Sequence, residues 1–206
     1  PDKSIGNSDD WEKATNSLIS ALENQNISYV TAHGEGAFYG PKIDLHVKDA
    51  IGRRWQLSTI QVDFAQPDNF NLQFVDSNNK RVKPVMIHRA LLGSIERFTG
   101  ILIENYAGEF PGWLSPVQVK VLTIGDVSNY LNKITKSLKG FRYDVDDRNL
   151  RLGEKLHDSS KDKVPITLIV GEKDELSNTL ALNIRSQDNQ QNVKYEDAIK
   201  QIKANL

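Results

Sequence analysis

Residues 42–64, which read KIDLHVKDAIGRRWQLSTIQVDF, decide the fold of the amino-terminal half of the chain. Apolar and polar residues alternate over 43–47, and this period of two is typical of a β-strand that buries one face. Residues 51–52 (Ile-Gly) fit a turn, and the alternation returns over 55–64 as a second strand. Short apolar runs broken by glycine continue over 27–75, so we expect an antiparallel, meander-like sheet.

In the sequence, segments with apolar residues at helical spacing precede and follow this predicted sheet. A first helix is predicted after Asp9 or Asp10, either of which can cap it, and it ends at 24–26. A short strand over 85–88 leads into a second predicted helix over 91–106, whose apolar residues form a single stripe. The first half is therefore predicted to be an α+β unit built on an antiparallel sheet.

The pattern changes after the segment 110–116, which holds two prolines and a glycine. Beyond it, strand and helix patterns alternate. The predicted strands are 117–124, 141–145, 164–170 and 180–184, and the predicted helices are 127–138, 152–159 and 195–204. This alternation is typical of an α/β domain with a largely buried sheet. We therefore place a boundary after residue 113, which gives domains 1–113 and 114–206.

The composition excludes several classes of protein. The 206 residues carry a formal net charge of −1, and they include 38% hydrophobic residues and no cysteine. These values exclude a disordered chain, a disulfide scaffold, an all-cysteine metal site and a binder that relies on bulk positive charge. No apolar run approaches the ~18 residues of a membrane span, so we expect no membrane contact. Because the chain opens with Pro1, we expect it to be the carboxyl-terminal part of a longer protein.

One arginine stands out in the predicted helix 91–106. On a helical wheel, Gly93, Arg97, Gly100 and Glu104 fall together opposite the apolar stripe. Glycines one turn before and after an arginine leave space for a ligand, and a guanidinium is a permanent, forked donor to phosphate. The alternative is a solvated surface arginine with glycines that permit helix packing. The helix alone leaves both interpretations open.

Two further motifs also have two interpretations each. His88 ends the predicted strand 85–88, where it is either a satisfied core histidine or a neutral imidazole facing a metal. The segment 34–44 places three glycines before Pro41 and Lys42. It lacks the Walker spacing, because its lysine opens a strand rather than a helix. The segment is either an ordinary hairpin or a backbone that closely approaches a ligand, with Lys42 as the charge partner of that ligand.

Polar side chains line one face of the predicted strand 55–64. Thr59, Gln61 and Asp63 share this face, which is unusual in the middle of a sheet. Gln56 has the opposite parity. It reaches the same face only if a β-bulge or a strong twist lies between it and Thr59.

Three ordered motifs are specific enough to point to a family. They are residues 34–44 (GEGAFYGPKID), 55–64 (WQLSTIQVDF) and 84–98 (PVMIHRALLGSIERF). Together with residues 107–116 and the α/β domain that follows, they make the chain resemble the threonyl-tRNA synthetases, which are class II aminoacyl-tRNA synthetases. The resemblance covers nearly the whole chain. It implies an α+β, antiparallel-sheet portion of a class II catalytic domain followed by an α/β anticodon-binding domain.

The resemblance also implies an activity. It implies a zinc-dependent threonine–tRNA ligase that uses ATP with Mg²⁺, activates L-threonine to threonyl-adenylate and transfers it to the 3′ end of tRNA(Thr). Arg97 matches the catalytic arginine of motif 3, which holds the ATP phosphates. His88 matches one zinc ligand at the threonine site. The resemblance places the other two zinc ligands, motif 1 and the motif 2 arginine upstream of this chain.

Five more residues match binding positions of the family. Tyr39 and Gln61 match positions that line the threonine pocket, and Lys42, Gln56 and Thr59 match positions near the adenylate. A zinc ion with an open position suits threonine, because it takes both the amino group and the hydroxyl. Valine lacks that hydroxyl and loses the contact.

The second domain carries the implied anticodon contacts. Asn149 matches the family pattern, whereas Lys163 stands where an arginine is usual, Asp174 where a glutamate is usual and Asn183 where an arginine is usual. Lysine lacks the planar fork of arginine and asparagine lacks its charge, so we expect an altered anticodon preference.

The implied partners are tRNA(Thr), L-threonine and ATP, and we expect the full-length protein to be a homodimer. The divergence of the anticodon positions favours a mitochondrial matrix enzyme, with the cytoplasm as the alternative. The alternative function is a non-catalytic tRNA-binding fragment or a synthetase-like paralogue. The upstream sequence distinguishes the two, since only an enzyme needs motifs 1 and 2 and the remaining zinc ligands.

Overall fold

The computed structural model describes residues 3–206, so Pro1 and Asp2 lie outside the described part of the chain. The chain divides into two compact units, and the division between Ile101 and Leu102 falls within a helix. The domain boundary predicted after residue 113 stays a prediction. Among residues 3–206, none of the helices has the length and apolar character needed to span a membrane.

The first unit is built on an antiparallel sheet, as predicted. Its elements are α1 (Ser8–Asn24), β1 (Lys42–Lys48), β2 (Arg54–Asp63), α2 (Gln66–Asn69), β3 (Phe74–Val75), β4 (Arg81–Val82), β5 (Met86–Ala90) and the start of α3 (Ile95–Tyr106). The three longer strands pair antiparallel in the order β1-β2-β5, and β3 and β4 form a separate ribbon. Residues 76–80 form the loop between β3 and β4.

A β-bulge in β2 realigns the polar residues of the sheet. Leu45 pairs with Ser58, but the next residue, His46, pairs with Gln56, so Leu57 is the extra residue. The bulge lies between Gln56 and Thr59, so of the two possibilities that the sequence left open, a bulge or a strong twist, the structure has the bulge. It brings Gln56 and Thr59 into hydrogen-bond contact at 3.1 Å.

The predicted starts of two helices are wrong by one or more residues. The first helix begins at Ser8 and is capped by Asn7, whose side chain accepts a hydrogen bond from the backbone N–H of Asp10, so neither Asp9 nor Asp10 is the cap. The helix expected to begin at Leu91 begins at Ile95. The Ser94 hydroxyl accepts a hydrogen bond from the Arg97 N–H at 3.1 Å and caps this helix.

Gly93 does not belong to the helix that carries Arg97, so the predicted arrangement of two helical glycines around Arg97 is wrong at this position. Gly93 has φ +63°, and a Cβ there would lie 3.0 Å from the Leu57 carbonyl oxygen. Its role is therefore a tight turn packed against the bulge of β2. Gly100 is helical, and a Cβ there would meet no atom within 4 Å.

The second unit carries a mixed five-stranded sheet. Its elements after α3 are β6 (Val119–Ile124), α4 (Ser128–Ser137), β7 (Tyr143–Asp146), α5 (Leu152–Lys161), β8 (Ile166–Gly171), α6 (Glu172–Ser177), β9 (Thr179–Ile184), β10 (Gln190–Lys194) and α7 (Tyr195–Asn205). The strand order is β10-β9-β8-β6-β7, with β6, β7 and β8 parallel and the other pairs antiparallel. The α/β prediction is confirmed, although α6 and β10 were not predicted.

Most of the hydrophobic core lies in this second unit. Inward-facing residues of β6, β8 and β9 pack with α4 and α7 in one continuous cluster. On the other face of the sheet, α5 contacts β8 through a hydrogen bond between the Ser159 and Thr167 hydroxyls at 2.8 Å. In the described part of the first unit, by contrast, Leu57 and Val62 are the only buried hydrophobic residues, and each is 5% exposed.

Candidate functional site

A cavity of about 350 Å³ opens in the first unit, on the polar face of the β1-β2-β5 sheet. The residues that line it are Ala37, Tyr39, Lys42, Gln56, Thr59, Gln61, His88 and Ala90. Six of these were singled out from the sequence as threonine, adenylate or zinc positions. They come from three strands and the glycine-containing segment before β1, so only the folded sheet brings them together.

Asp44 organises one side of this cavity. Its Oδ1 accepts hydrogen bonds from Gln56 Nε2 at 2.6 Å and from Thr59 Oγ1 at 2.7 Å, and its Oδ2 pairs with Lys42 Nζ. Burial raises the pKa of Asp44, but the hydrogen bonds from Lys42 and Thr59 lower it by more, so the pKa lies below its usual value. The carboxylate therefore holds the three predicted adenylate residues in one cluster. The sequence motifs assign no role to Asp44, although it lies on the same face of β1 as Lys42.

Gln61 presents an unpaired hydrogen-bond donor at the cavity. Its Oε1 accepts a hydrogen bond from the Tyr39 hydroxyl at 3.0 Å. Its Nε2 is buried and has no hydrogen-bond partner among residues 3–206, and the residue as a whole is 7% exposed. A buried donor left unpaired costs about 1–3 kcal/mol, so a bound ligand with an acceptor at this point regains that free energy.

His88 is held by a buried carboxylate. Its Nε2 lies 2.6 Å from Asp63 Oδ2, and Asp63 Oδ1 accepts hydrogen bonds from the N–H groups of Ala65 and Gln66. Burial raises the pKa of Asp63, but the Gln66 N–H and His88 lower it by more. The His88 side chain is 49% exposed on strand β5, which is the last strand in the sheet order. The interpretation of His88 as a core histidine is therefore wrong.

The geometry of His88 fits one position of a zinc site. Metal-binding histidines commonly donate the other ring N–H to a carboxylate, which fixes the ring and the tautomer. Asp63 is placed to do this for Nε2, and no hydrogen bond engages Nδ1 within the described chain. Residues 3–206 contain no group of three or more His, Cys, Asp or Glu side chains that could hold a metal ion together. His88 is thus suited to supply a single ligand.

Arg97 lies beside the cavity and does not line it. Its Nη1 is 3.4 Å from the Gln56 carbonyl oxygen, and its guanidinium carbon is 5.8 Å from the centre of the Trp55 ring. The Trp55 Nε1 donates to Asp49 at 2.8 Å, so the turn between β1 and β2 fixes the ring beneath the arginine. Arg97 is exposed, and no carboxylate of the described residues forms an ion pair with it. The guanidinium keeps donors available for an anion.

The four predicted anticodon residues do not form one cluster in the second unit. Asn149 follows the carboxyl end of β7 and Asp174 follows that of β8, at the same edge of the sheet. Lys163 precedes β8, and Asn183 pairs with Thr167 near the start of β8, at the opposite edge. Their role in anticodon recognition stays a prediction.

Two of these four residues have partners inside the unit. Lys163 Nζ donates to the Ala107 carbonyl oxygen at 2.5 Å and lies 3.5 Å from Glu109. The Asp174 carboxylate accepts hydrogen bonds from the Gly171 N–H at 3.0 Å and from the Thr179 hydroxyl at 3.3 Å. The Lys163 and Asp174 side chains therefore stabilise the local fold of the second unit.

Comparison with known proteins identifies relatives for both units. Residues 2–106 match the model of the tRNA synthetase class II core domain (G, H, P, S and T), and residues 118–205 match that of the anticodon binding domain. A threonine–tRNA ligase of Clostridium tetani is 50% identical over 190 residues, which cover 91% of this chain and 30% of the relative. One from Clostridium acetobutylicum is 44% identical over 209 residues and covers 100% of this chain and 33% of the relative. The chain thus spans about a third of the length of these curated relatives.

Solved structures of tRNA synthetases also resemble this chain. The crystal structure of the RNA binding domain of threonyl-tRNA synthetase from Cryptosporidium parvum Iowa II superimposes with a TM-score of 0.87 at 32% identity, covering 100% of this chain and 53% of that one. A prolyl-tRNA synthetase from the same species gives a TM-score of 0.62 at 18% identity, covering 92% of this chain and 44% of that one, which shows a shared fold alone.

Proposed function

The chain belongs to the class II tRNA synthetase family, and from this premise we propose that it is the carboxyl-terminal part of a threonine–tRNA ligase. One observation carries the proposal. Six side chains chosen from the sequence for threonine, adenylate and zinc binding line a single cavity, and one of them offers a buried, unpaired amide N–H. The names of the relatives support threonine as the amino acid.

The proposed reaction has two steps. The carboxylate of threonine attacks the α-phosphorus of ATP, which forms threonyl-adenylate and releases pyrophosphate. A hydroxyl at the 3′ end of tRNA(Thr) then attacks the activated carbonyl and releases AMP. ATP enters as its Mg²⁺ complex, and tRNA is held by the second unit.

The residues of the cavity divide between the two ends of the adenylate. Lys42, Gln56 and Thr59 are fixed on the Asp44 carboxylate and hold the adenylate. Arg97 binds the ATP phosphates and stabilises the charge that grows on pyrophosphate as it leaves.

Tyr39, Gln61 and His88 serve the threonine end of the cavity. Gln61 donates its unpaired N–H to threonine, and Tyr39 fixes the orientation of that amide. His88 supplies one zinc ligand, oriented by Asp63, and the remaining ligands come from outside this chain. When bound, zinc offers positions for the amino and hydroxyl groups of threonine. A homodimer and a mitochondrial matrix location of the full-length protein complete the proposal.

The test is threonine-dependent ATP–pyrophosphate exchange by the full-length parent and by the 206-residue chain. We expect exchange in the parent and none in the chain alone, because the upstream motifs are missing. Arg97→Ala in the parent should lower exchange by about 10²–10³-fold, as expected for the loss of one donor to transition-state charge. The matched control is Arg81→Ala, an exposed arginine of β4, which should leave exchange near normal. An inactive parent that still binds tRNA would move the protein to the non-catalytic class.

A further inference from the structure

The loop that follows β7 contains an arginine that is folded back onto the protein. Arg148 Nε donates to Asp146 Oδ1 at 2.9 Å and its Nη2 donates to Asp146 Oδ2 at 2.6 Å, so the guanidinium binds this carboxylate with two parallel bonds. The same Nη2 also donates to Asp158 on α5 at 2.7 Å. Much of the donor capacity of Arg148 is therefore already in use.

Asp146, the partner of Arg148, is itself anchored in the interior. It is 5% exposed, and its carbonyl oxygen accepts a hydrogen bond from Lys155 Nζ at 3.0 Å. Lys155 is 2% exposed and donates also to the Thr123 carbonyl oxygen at 2.8 Å. The hydrogen bonds from Arg148 hold the pKa of Asp146 down, at about 2. The base of the loop is therefore a buried carboxylate and a buried lysine, to which the half-exposed Arg148 is bound.

Asn149, the next residue, has a free side chain. It is exposed, and no hydrogen bond within residues 3–206 engages its amide. Its backbone lies in a tight turn, in which the Leu150 N–H donates to the Arg148 carbonyl oxygen at 2.8 Å. The loop thus presents the Asn149 amide without a hydrogen-bond partner. The neighbouring Arg148 guanidinium makes three hydrogen bonds.

We propose that Arg148 is a positioning residue that holds the loop backbone in place, so that the Asn149 amide can contact a base of the anticodon. The inference rests on the proposed function of the chain as part of a threonine–tRNA ligase. An amide carries a donor and an acceptor side by side, which matches the edge of an unstacked base. Through its bonds to Asp146 and Asp158, Arg148 holds the backbone of the loop that carries this amide, and it does not itself contact the RNA.

A double-mutant cycle in the full-length parent tests the inference. The variants are Arg148→Met, Asn149→Ala and the two together, and the measurement is KM for tRNA(Thr) in aminoacylation. Each single change should raise KM by about tenfold, as expected for the loss of one base contact. The double variant should show the same rise of about tenfold, because Arg148 acts only through Asn149. A multiplied effect of about 100-fold, or a normal KM in Arg148→Met, overturns the inference.

Three controls separate this role from others. Arg151→Met removes the same charge from an exposed arginine nearby, and its effect should multiply with that of Asn149→Ala. Arg148→Lys keeps the charge without the fork and should still raise KM. Asp158→Asn weakens one of the contacts and should raise KM by a smaller factor, which keeps the test usable if Arg148→Met fails to fold. ATP–pyrophosphate exchange should stay normal in every variant, whereas its absence in the unaltered parent would count against the proposed function instead.

Discussion

Two carboxylates, the partly buried Asp44 and the buried Asp63, organise the residues of the cavity. Asp44 gathers Lys42, Gln56 and Thr59, and Asp63 orients His88. A carboxylate in a sheet is stable only when donors surround it, and here the donors are the residues proposed to bind ligand. The hydrogen bonds that stabilise the Asp44 and Asp63 carboxylates therefore also fix the side chains of the cavity before any ligand binds.

At this scale the zinc proposal gives a direct prediction. His88→Ala in the full-length parent should lower the zinc content and the affinity for threonine together, and Asp63→Asn should weaken zinc binding by about 10–100-fold. Metal analysis and threonine titration measure the two effects. His157→Ala, a histidine of α5 in the second unit, is the control and should retain zinc. Stoichiometric zinc in His88→Ala would remove His88 from the ligand set.

A second residue-scale prediction concerns acid stability. Burial raises the pKa of Asp49, but hydrogen bonds from Trp55 and Arg53 outweigh it and hold the pKa at about 2. Its folded pKa is below the unfolded value of about 3.9, so Asp49 stabilises the fold above about pH 4 and loses this contribution as the pH falls towards 2. Thermal unfolding of the parent over this range should show the loss, and Asp49→Asn should flatten the curve.

The matched variant for Asp49 is Trp55→Phe. It keeps an aromatic ring beneath Arg97 and removes the Nε1 donor to Asp49. We expect part of the acid dependence to disappear in this variant. An Asp49→Asn curve that is parallel to the wild-type curve would show that Asp49 is not the titrating group.

At the scale of elements, the bulge in β2 decides which side chains reach the cavity. Leu57 is the extra residue, and the Gly93 turn packs against its carbonyl oxygen. Gly40 is a second close approach, because a Cβ there would lie 1.9 Å from the Val62 carbonyl oxygen. The backbone at Gly93 and the backbone at Gly40 thus each approach β2 so closely that no side chain fits between that backbone and the strand.

Two glycines of the first unit should respond oppositely to alanine. Gly40→Ala forces a backbone clash with β2 and should destabilise the parent by about 1–3 kcal/mol. Gly100→Ala lies in a helix with open space around it and should stabilise the parent by about 0.5–1 kcal/mol. Denaturant unfolding of both variants gives the two values. Equal effects of the same sign would contradict the structural distinction between the two positions.

At the scale of the whole molecule, the segment before β6 belongs to the second unit through several contacts. Arg142 donates to the carbonyl oxygens of Ser115 and Trp113, and Gln118 donates to that of Gly112. Arg185 binds the Phe110 carbonyl oxygen, and Lys163 binds that of Ala107. Residues 107–115 therefore lie along the α/β fold, and we expect a second domain without them to be weakened.

Truncation tests this expectation. Residues 107–206 should unfold at a higher temperature than residues 117–206, because several hydrogen bonds worth about 0.5–1.5 kcal/mol each are lost with the segment. Thermal unfolding by circular dichroism measures the difference. Lys163→Met in the longer piece should account for part of it. Equal midpoints would show that the segment adds nothing to the stability of the domain.

Local patterns account for much of the fold, and particular residues show where they fail. Alternation predicted β1 and β2, and continuous apolar runs predicted β6, β8 and β9. Strand β10 was missed because its sequence, QQNVK, is polar, and only pairing with β9 makes it a strand. The start of α3 was misplaced because the residues before Ile95 continue the apolar pattern of the helix, while the backbone turns at Gly93.

The sequence by itself determined the two kinds of sheet, the family resemblance and the condition that a bulge or a strong twist lies between Gln56 and Thr59 if they share a face. All three follow from the order and spacing of residues along the chain. Only the tertiary structure decided that Asp44 and Asp63 hold the cavity, that Gln61 keeps an unpaired N–H and that Arg148 is engaged by Asp146 and Asp158. Most of these facts join residues that are distant in sequence. A hydrogen bond requires its two atoms to be placed to within a few tenths of an ångström, and only the packed sheet and helices place them so.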